Sequence, residues 1–156
     1  MGVRNIEIVP ARPRHVGTIA KRLRDVDRKE CEAFGHSPKM ALRMGLWFSQ
    51  NAWTALVDGK PEAMFGIMVT SALTGDGSPW FLGTDEVYKH GRALLTWGPS
   101  FVEIIRDSSP RASNLVSADN FKAIRLLEKW GFEVKPETEM RGGIPFRKFE
   151  LCAIPV

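Results

Sequence analysis

The sequence is short of the residues that announce a simple chemistry. It has two cysteines, Cys31 and Cys152, with no CxxC pair and no ligand-like spacing, so neither a zinc site nor a disulfide framework is indicated and no metal is expected. Tyrosine occurs once, at Tyr88, and no Ser/His/Asp or Cys/His arrangement stands out, which leaves hydrolase chemistry little support. No apolar run approaches the roughly 20 residues that span a bilayer. The opening residues MGVRNIEIVPARPRH lack the apolar segment of a secretory signal. A cytoplasmic site of action without a membrane partner is therefore expected, and no repeat, low-complexity tract or linker divides the chain.

What is present fits one ordinary domain over residues 1–156. Hydrophobic residues make up 44% and charged residues 26%, the balance of a globular chain with a real core. The net charge of +4 gathers in Arg12, Arg14, Lys21, Arg22, Arg24, Arg28 and Lys29, read as the solvated face of an amphipathic helix. Nucleic acid is not expected as a partner, because no aromatic interleaving accompanies the charge.

The elements follow in a regular order. Ile6 to Val9 reads as a strand. Pro13 opens a helix whose apolar positions are Val16, Ile19, Ala20, Leu23 and Val26, and Ser37-Pro38 starts another. Asp58-Gly59 marks a hairpin, and Pro79 to Gly83 reads as a further strand. The segment Glu86 to Gly98, EVYKHGRALLTWG, opens a helix that runs toward Ser108, with Trp97-Gly98-Pro99 expected to interrupt it. A short strand at Ser113 to Ser117, a helix capped by Asp119 or Asn120 and ended by Gly131, and strands at Phe132 to Val134 and Phe146 to Ile154 around a Gly142-Gly143 loop complete an α/β pattern.

The segment from Asn120 to Phe132, NFKAIRLLEKWGF, resembles the NxxA…EKxGF signature of the Gcn5-related N-acetyltransferases, the GNAT superfamily, and the element order resembles theirs over nearly the whole chain. AMFG, PWFLGT and NxxAIRxLEKxGF are more narrowly similar to small GNAT-like proteins of T7-like bacteriophages. The resemblance implies a GNAT-like mixed sheet of about six to seven strands, four flanking helices and two parallel strands that splay apart. It also implies acetyl-CoA or another acyl-CoA as cofactor and an amine acceptor. A phage origin implies the host cytoplasm or the virion, and a host or virion protein as a possible partner.

Site residues follow from the same resemblance. Phe81, Leu82, Gly83 and Thr84 flank the gap that takes the pantetheine arm, and Asn120 lies beside its thiol end. The family's pyrophosphate loop, R/Q-x-x-G-x-G/A, has its best match in Lys89, His90, Gly91, Arg92 and Ala93, which is one residue short. Its small residues allow close approach to phosphate and its cations favour an anion. Asp85 or Glu86, just after the strand, is the expected base. Glu30, Glu32 and His36, expected in the connection between the first two helices, line the acceptor side. The tyrosine that many members use to protonate the leaving thiolate corresponds to Leu127, which cannot donate a proton, and Tyr88 is read as packing against the fold. Three functions stay open on these residues: an N-acyltransferase, a CoA-binding regulator without transfer, and a scaffold that has lost catalysis.

Overall fold

The computed structural model describes residues 5–151. Strand β1 (Ile6–Pro10) is followed by helices α1 (Pro13–Lys21), α2 (Asp25–Ala33) and α3 (Pro38–Phe48). Strands β2 (Asn51–Val57), β3 (Lys60–Ser71) and β4 (Asp76–Gly83) form an antiparallel meander. One helical turn, α4 (Asp85–Tyr88), leads into the long helix α5 (Gly91–Ser108). Strand β5 (Arg111–Ser117), helix α6 (Phe121–Lys129) and the hairpin β6 (Phe132–Arg141) and β7 (Ile144–Leu151) close the chain. The seven strands form one sheet in the order β1-β2-β3-β4-β5-β7-β6, the expected mixed sheet.

The turns explain the register. Asp58 and Gly59 both take positive φ, as a two-residue hairpin of this twist requires, and Gly142 and Gly143 do the same between β6 and β7. The last two strands are therefore joined by a tight turn, and β6 runs on to Arg141 past an irregularity between Val134 and Thr138. The expected extension of the final strand to Ile154, and Cys152, lie outside the described residues.

Among the described residues, strands β4 and β5 are the one parallel pair, and they pair only at Asp76 with Arg111 and at Gly77 with Ala112. The cause lies in β4. The Pro79 carbonyl faces β5, where it accepts from Asn114 Nδ2 at 2.9 Å. A strand residue points its N–H and C=O to the same side, so the donor that proline lacks is one the ladder to β5 needs. Beyond it the strands separate. At the narrow end Ser109 Oγ donates to the Gly75 carbonyl at 2.6 Å, and a Cβ on Gly77 would overlap that hydroxyl.

Two cores flank the sheet. Val16, Ile19, Leu42 and Met64 pack under α1 and α3, while Phe65, Phe101, Trp130, Phe132 and Phe149 pack under α5 and α6. Helix α5 runs unbroken through Pro99, against expectation. Its packing outweighs the one lost hydrogen bond, because Leu94, Phe101, Val102 and Ile105 are all buried on one face. Gly98 lets the Trp130 indole lie against the helix, where Nε1 donates to the Leu94 carbonyl at 3.1 Å.

Helix α2 and the turn α4 join the four expected helices. Helix α1 stops at Lys21, so Leu23 lies beyond it, bridged to Thr84, and Val26 belongs to α2. Glu30 and Glu32 consequently lie on α2, and only His36 lies in a connection. The basic stripe is not all solvated. Arg22 Nη2 binds both carboxylate oxygens of buried Glu62 at 2.6 Å, and Arg24 is buried. Among the described residues no helix is long and apolar enough to cross a membrane.

Candidate functional site

The separation of β4 from β5 leaves a cavity of about 300 Å³ that reaches both faces of the sheet. Met44, Gly45 and Trp80 line it on the α3 side, and Phe101, Leu127 and Trp130 on the side of α5 and α6. Phe81 and Leu82 stand in its wall. Phe34, 45% exposed and 5.3 Å from Phe146 between ring centroids, marks an entrance beside Glu30 and His36.

The wide end of the gap is crossed by a polar network rooted in α2. Asp27 Oδ2 accepts the Gly83 N–H at 3.1 Å, and the Arg24 N–H donates to the Gly83 carbonyl at 3.0 Å. Asp27 Oδ1 accepts from Arg24 Nη1 and from Asn120 Nδ2, each at 3.2 Å. Asn120 Oδ1 in turn accepts from Arg24 Nη2 at 3.1 Å and caps α6 through the Ala123 N–H. Glu30 Oε1 accepts from the Ser117 N–H at 3.0 Å and from Asn120 Nδ2 at 2.9 Å, while Oε2 carries neither bond. Tyr88 closes the network, with the Arg24 guanidinium 4.2 Å above its ring and Phe81 edge-on at 6.1 Å. Tyr88 thus packs as expected.

Burial raises the carboxyls of this network. Asp27 is pushed up to about 6 by loss of water, against the pull of Arg24 and of the Gly83 and Asn120 donors. Glu30 is pushed up to about 7, first by burial and then by the Asp27 charge. Around neutrality the pair holds Asp27 ionised among three donors and Glu30 poised between acid and base. Burial also pushes the Cys31 thiol up to about 12, which makes it a poor nucleophile.

The structure separates the sequence-predicted residues into two groups. Phe81, Leu82, Asn120, Glu30 and His36 meet at the cavity. Gly83 and Thr84 lie behind it, with Gly83 held by Asp27 and Thr84 Oγ1 donating to Glu62. Asp85 is 82% exposed at its side chain and stands 3.9 Å from Arg24 Nε. Glu86 faces Lys89 Nζ at 3.3 Å and His90 Nε2 at 3.4 Å, within the loop and away from the cavity wall. Gly91 and Arg92 begin α5, followed by Ala93, and a Cβ on Gly91 would meet nothing within 4 Å. Glu32 is exposed. Arg24, Asp27, Glu62 and Asn114 carry no site motif in the sequence, and only the charge spacing Arg24-x-x-Asp27 hints at one pair.

No protein-family model matches the sequence, and no curated protein matches it. Solved structures do match its fold. Ard1 from Thermoplasma volcanium superposes with a TM-score of 0.69 at 12% identity, covering 96% of this chain and 99% of that one. A spermidine N-acetyltransferase SpeG chimera from Vibrio cholerae and hSSAT gives 0.65 at 11% identity, covering 94% of each chain. AAC(6')-Ib in complex with ribostamycin and coenzyme A gives 0.62 at 15% identity, covering 94% of this chain and 92% of that one. The chain has the fold of the GNAT acetyltransferases, with its candidate site in the gap between β4 and β5.

Proposed function

We propose that the chain is an acyl-CoA-dependent N-acyltransferase acting on an amine of a small molecule or protein. The observation that carries this reading is the cavity in the β4/β5 gap, where Glu30 and Asn120 stand together. Bound acyl-CoA supplies a thioester carbonyl and a thiol leaving group. Glu30 takes one proton from the acceptor ammonium, a task suited to a carboxyl near 7. The amine nitrogen then bonds to the acyl carbon, the carbon–sulfur bond breaks, and the second nitrogen proton leaves with the sulfur, directly or through water. Glu30 later returns its proton to solvent. Leu127, at the cavity wall, takes no part in proton transfer. Lys89 and Arg92 place positive charge at the start of the long helix α5, beside His90, where backbone N–H groups favour phosphate.

The fit to an acyl-CoA arm is close in the middle of the gap and poor at its mouth. Along Phe81 and Leu82 the cavity is open and apolar. At the mouth, Gly83 has both backbone groups engaged and Ser117 N–H is engaged by Glu30, and further in, level with Trp80, Leu115 N–H is engaged by Asn114 Oδ1 at 2.8 Å. These bonds favour a second reading, in which a phage-encoded GNAT-like protein has lost catalysis and binds a host or virion protein. Titration calorimetry with acetyl-CoA and with CoA separates the two. The first reading expects a micromolar Kd that Arg92→Glu weakens at least tenfold at unchanged stability. Absence of binding at millimolar ligand leaves the scaffold.

A further inference from the structure

We propose that the surface built by α3 and the turn between β3 and β4 docks on an anionic lipid layer, with Trp47, Phe48 and Leu73 entering the headgroup region and Lys39 and Arg43 pairing with lipid anions. None of these residues lines the cavity, so the inference stands with either reading of the gap. No helix of the described residues crosses a membrane, and a peripheral contact needs none.

The apolar part is contiguous and bare of charge. Trp47 is 61%, Phe48 64% and Leu73 100% exposed. Phe48 and Leu73 line one shallow depression with Val69, Ala72 and Pro110, and no side chain of its lining is charged. Asp76, at the end of the turn, is half-buried and accepts from Thr74 Oγ1 at 2.6 Å. Asp107 and Arg111, exposed on either side of Ser108 and Pro110, have opposite signs. A large apolar side chain that no neighbour covers contributes no packing to the fold, and here three of them stand together.

The flank is cationic. Helices α1 and α3 cover the same face of the sheet, pack on one core, and contain no acidic residue. On α3 Leu42 and Gly45 are buried, while Met40, Arg43 and Trp47 recur three and four residues apart on the outward stripe with Lys39 beside them. On α1 Arg14 and Lys21 are exposed opposite buried Val16 and Ile19. Cations along a helix that ends in exposed aromatic residues are the arrangement that holds a helix at a lipid interface, each cation near the surface adding its own attraction to anionic headgroups.

Other anionic or apolar occupants fit less well. Leu73 projects fully exposed from a turn, and a fluid layer closes around such a side chain where a fixed protein surface would need a matching hollow. Single-stranded nucleic acid stacks its bases on aromatic faces along a cationic track, and Leu73 offers no such face. A second copy of the chain would bring two acid-free faces together.

The test uses the full chain in sedimentation with vesicles of phosphatidylcholine and of an equal mixture of phosphatidylcholine and phosphatidylserine. The expected result is binding at least tenfold tighter to the mixed vesicles, weakening as salt rises. Leu73→Ser with Trp47→Ser should weaken that binding at least tenfold at unchanged Tm, because both side chains are exposed. Lys39→Glu with Arg43→Glu should bring it down to the level on phosphatidylcholine. The same charge change on α6, Lys122→Glu with Arg125→Glu, should stay within about twofold of wild type, since α6 covers the other face of the sheet. No binding, equal binding to both vesicles, an equal loss from the α6 pair, or full binding by the Leu73 and Trp47 variant overturns the proposal. So does a dimer that this variant dissociates, or tighter binding of a thymidine oligonucleotide than of the mixed vesicles. Acetyl-CoA enters none of these measurements, so failure of the transfer reading leaves this surface in place.

Discussion

Asp27, on a helix with almost no apolar pattern, accepts the Gly83 N–H at 3.1 Å and so ties the first turns of α2 to the free end of β4. With the Arg24 N–H on the Gly83 carbonyl, the segment does for β4 what the next strand does elsewhere in the sheet. The gap between β4 and β5 is therefore held open by its own polar bracket. Removing the bracket exposes a buried guanidinium. Asp27→Ala takes from Arg24 its buried carboxylate, leaving it Asn120 Oδ1 at 3.1 Å and the exposed Asp85 at 3.9 Å, and is expected to cost about 3 to 5 kcal/mol, read from urea unfolding. Arg24→Met with Asp27→Leu removes both charges and should recover most of that loss. A double variant as unstable as the single one would show that the pair is not what holds α2 down.

The same bracket gives stability an unusual pH dependence. The folded carboxyls of Asp27 and Glu30 sit near 6 and 7, above their unfolded values, so between about pH 4 and 7 the folded state binds more protons than the unfolded one. Their contribution is favourable below the unfolded value and is lost as pH rises through the folded one. His15, whose value burial lowers, acts in the opposite sense. A comparison isolates Glu30: Gln keeps the acceptor for Ser117 and Asn120 and mimics the protonated acid. Glu30→Gln should match wild type near pH 5 and exceed it by about 2 kcal/mol at pH 8 in urea unfolding. Equal stability at both values would place Glu30 in water.

Gly98 is a helix-interior glycine, where alanine ordinarily gains about 1 kcal/mol. Here the added methyl would overlap the Trp130 indole, which also donates to the Leu94 carbonyl. Overpacking costs about 1 to 3 kcal/mol and the displaced hydrogen bond about 1 more, so the clash outweighs the propensity gain. Gly98→Ala should lower Tm by roughly 4 to 8 °C in calorimetry. A raised Tm would mean that the indole has room to move.

The parts of the fold that follow a hydrophobic period could be read from the sequence. The Asp58-Gly59 hairpin, the Ser37 cap of α3 and the Asn120 cap of α6 all stand where the sequence predicts, because each is a local signal with a local cause. Helix α2 was hidden for the opposite reason. Its inward residues are Asp27 and Cys31, so its buried face is polar and leaves no apolar stripe to detect. Pro99 misled because propensity is local, whereas the four buried apolar residues of α5 act together. The site divided along the same line. Phe81 and Asn120 lie on elements with strong patterns, and they reach the cavity. The place of Asp85 and Glu86 just after β4, where the resemblance implies a base, does not fix where their side chains point: Asp85 is exposed beside Arg24 and Glu86 faces Lys89 and His90.

That division yields the sharpest kinetic contrast between carboxylates. If Glu30 takes the acceptor's proton, Glu30→Gln should lower kcat at least about a hundredfold, the usual range for a general base, with the acetyl-CoA Kd unchanged. Glu86→Gln, whose carboxylate faces Lys89 and His90 outside the cavity wall, should stay within about twofold of wild type. Loss of activity is ordinarily ambiguous because a damaged fold produces it too. Here the inactive variant is expected to be the more stable protein at pH 8, since it no longer buries a charge beside Asp27. A variant that is at once more stable and less active can owe its loss only to the missing carboxylate. If Glu86→Gln is instead the inactive one, the proton leaves through the loop and the chemistry belongs at the start of α5.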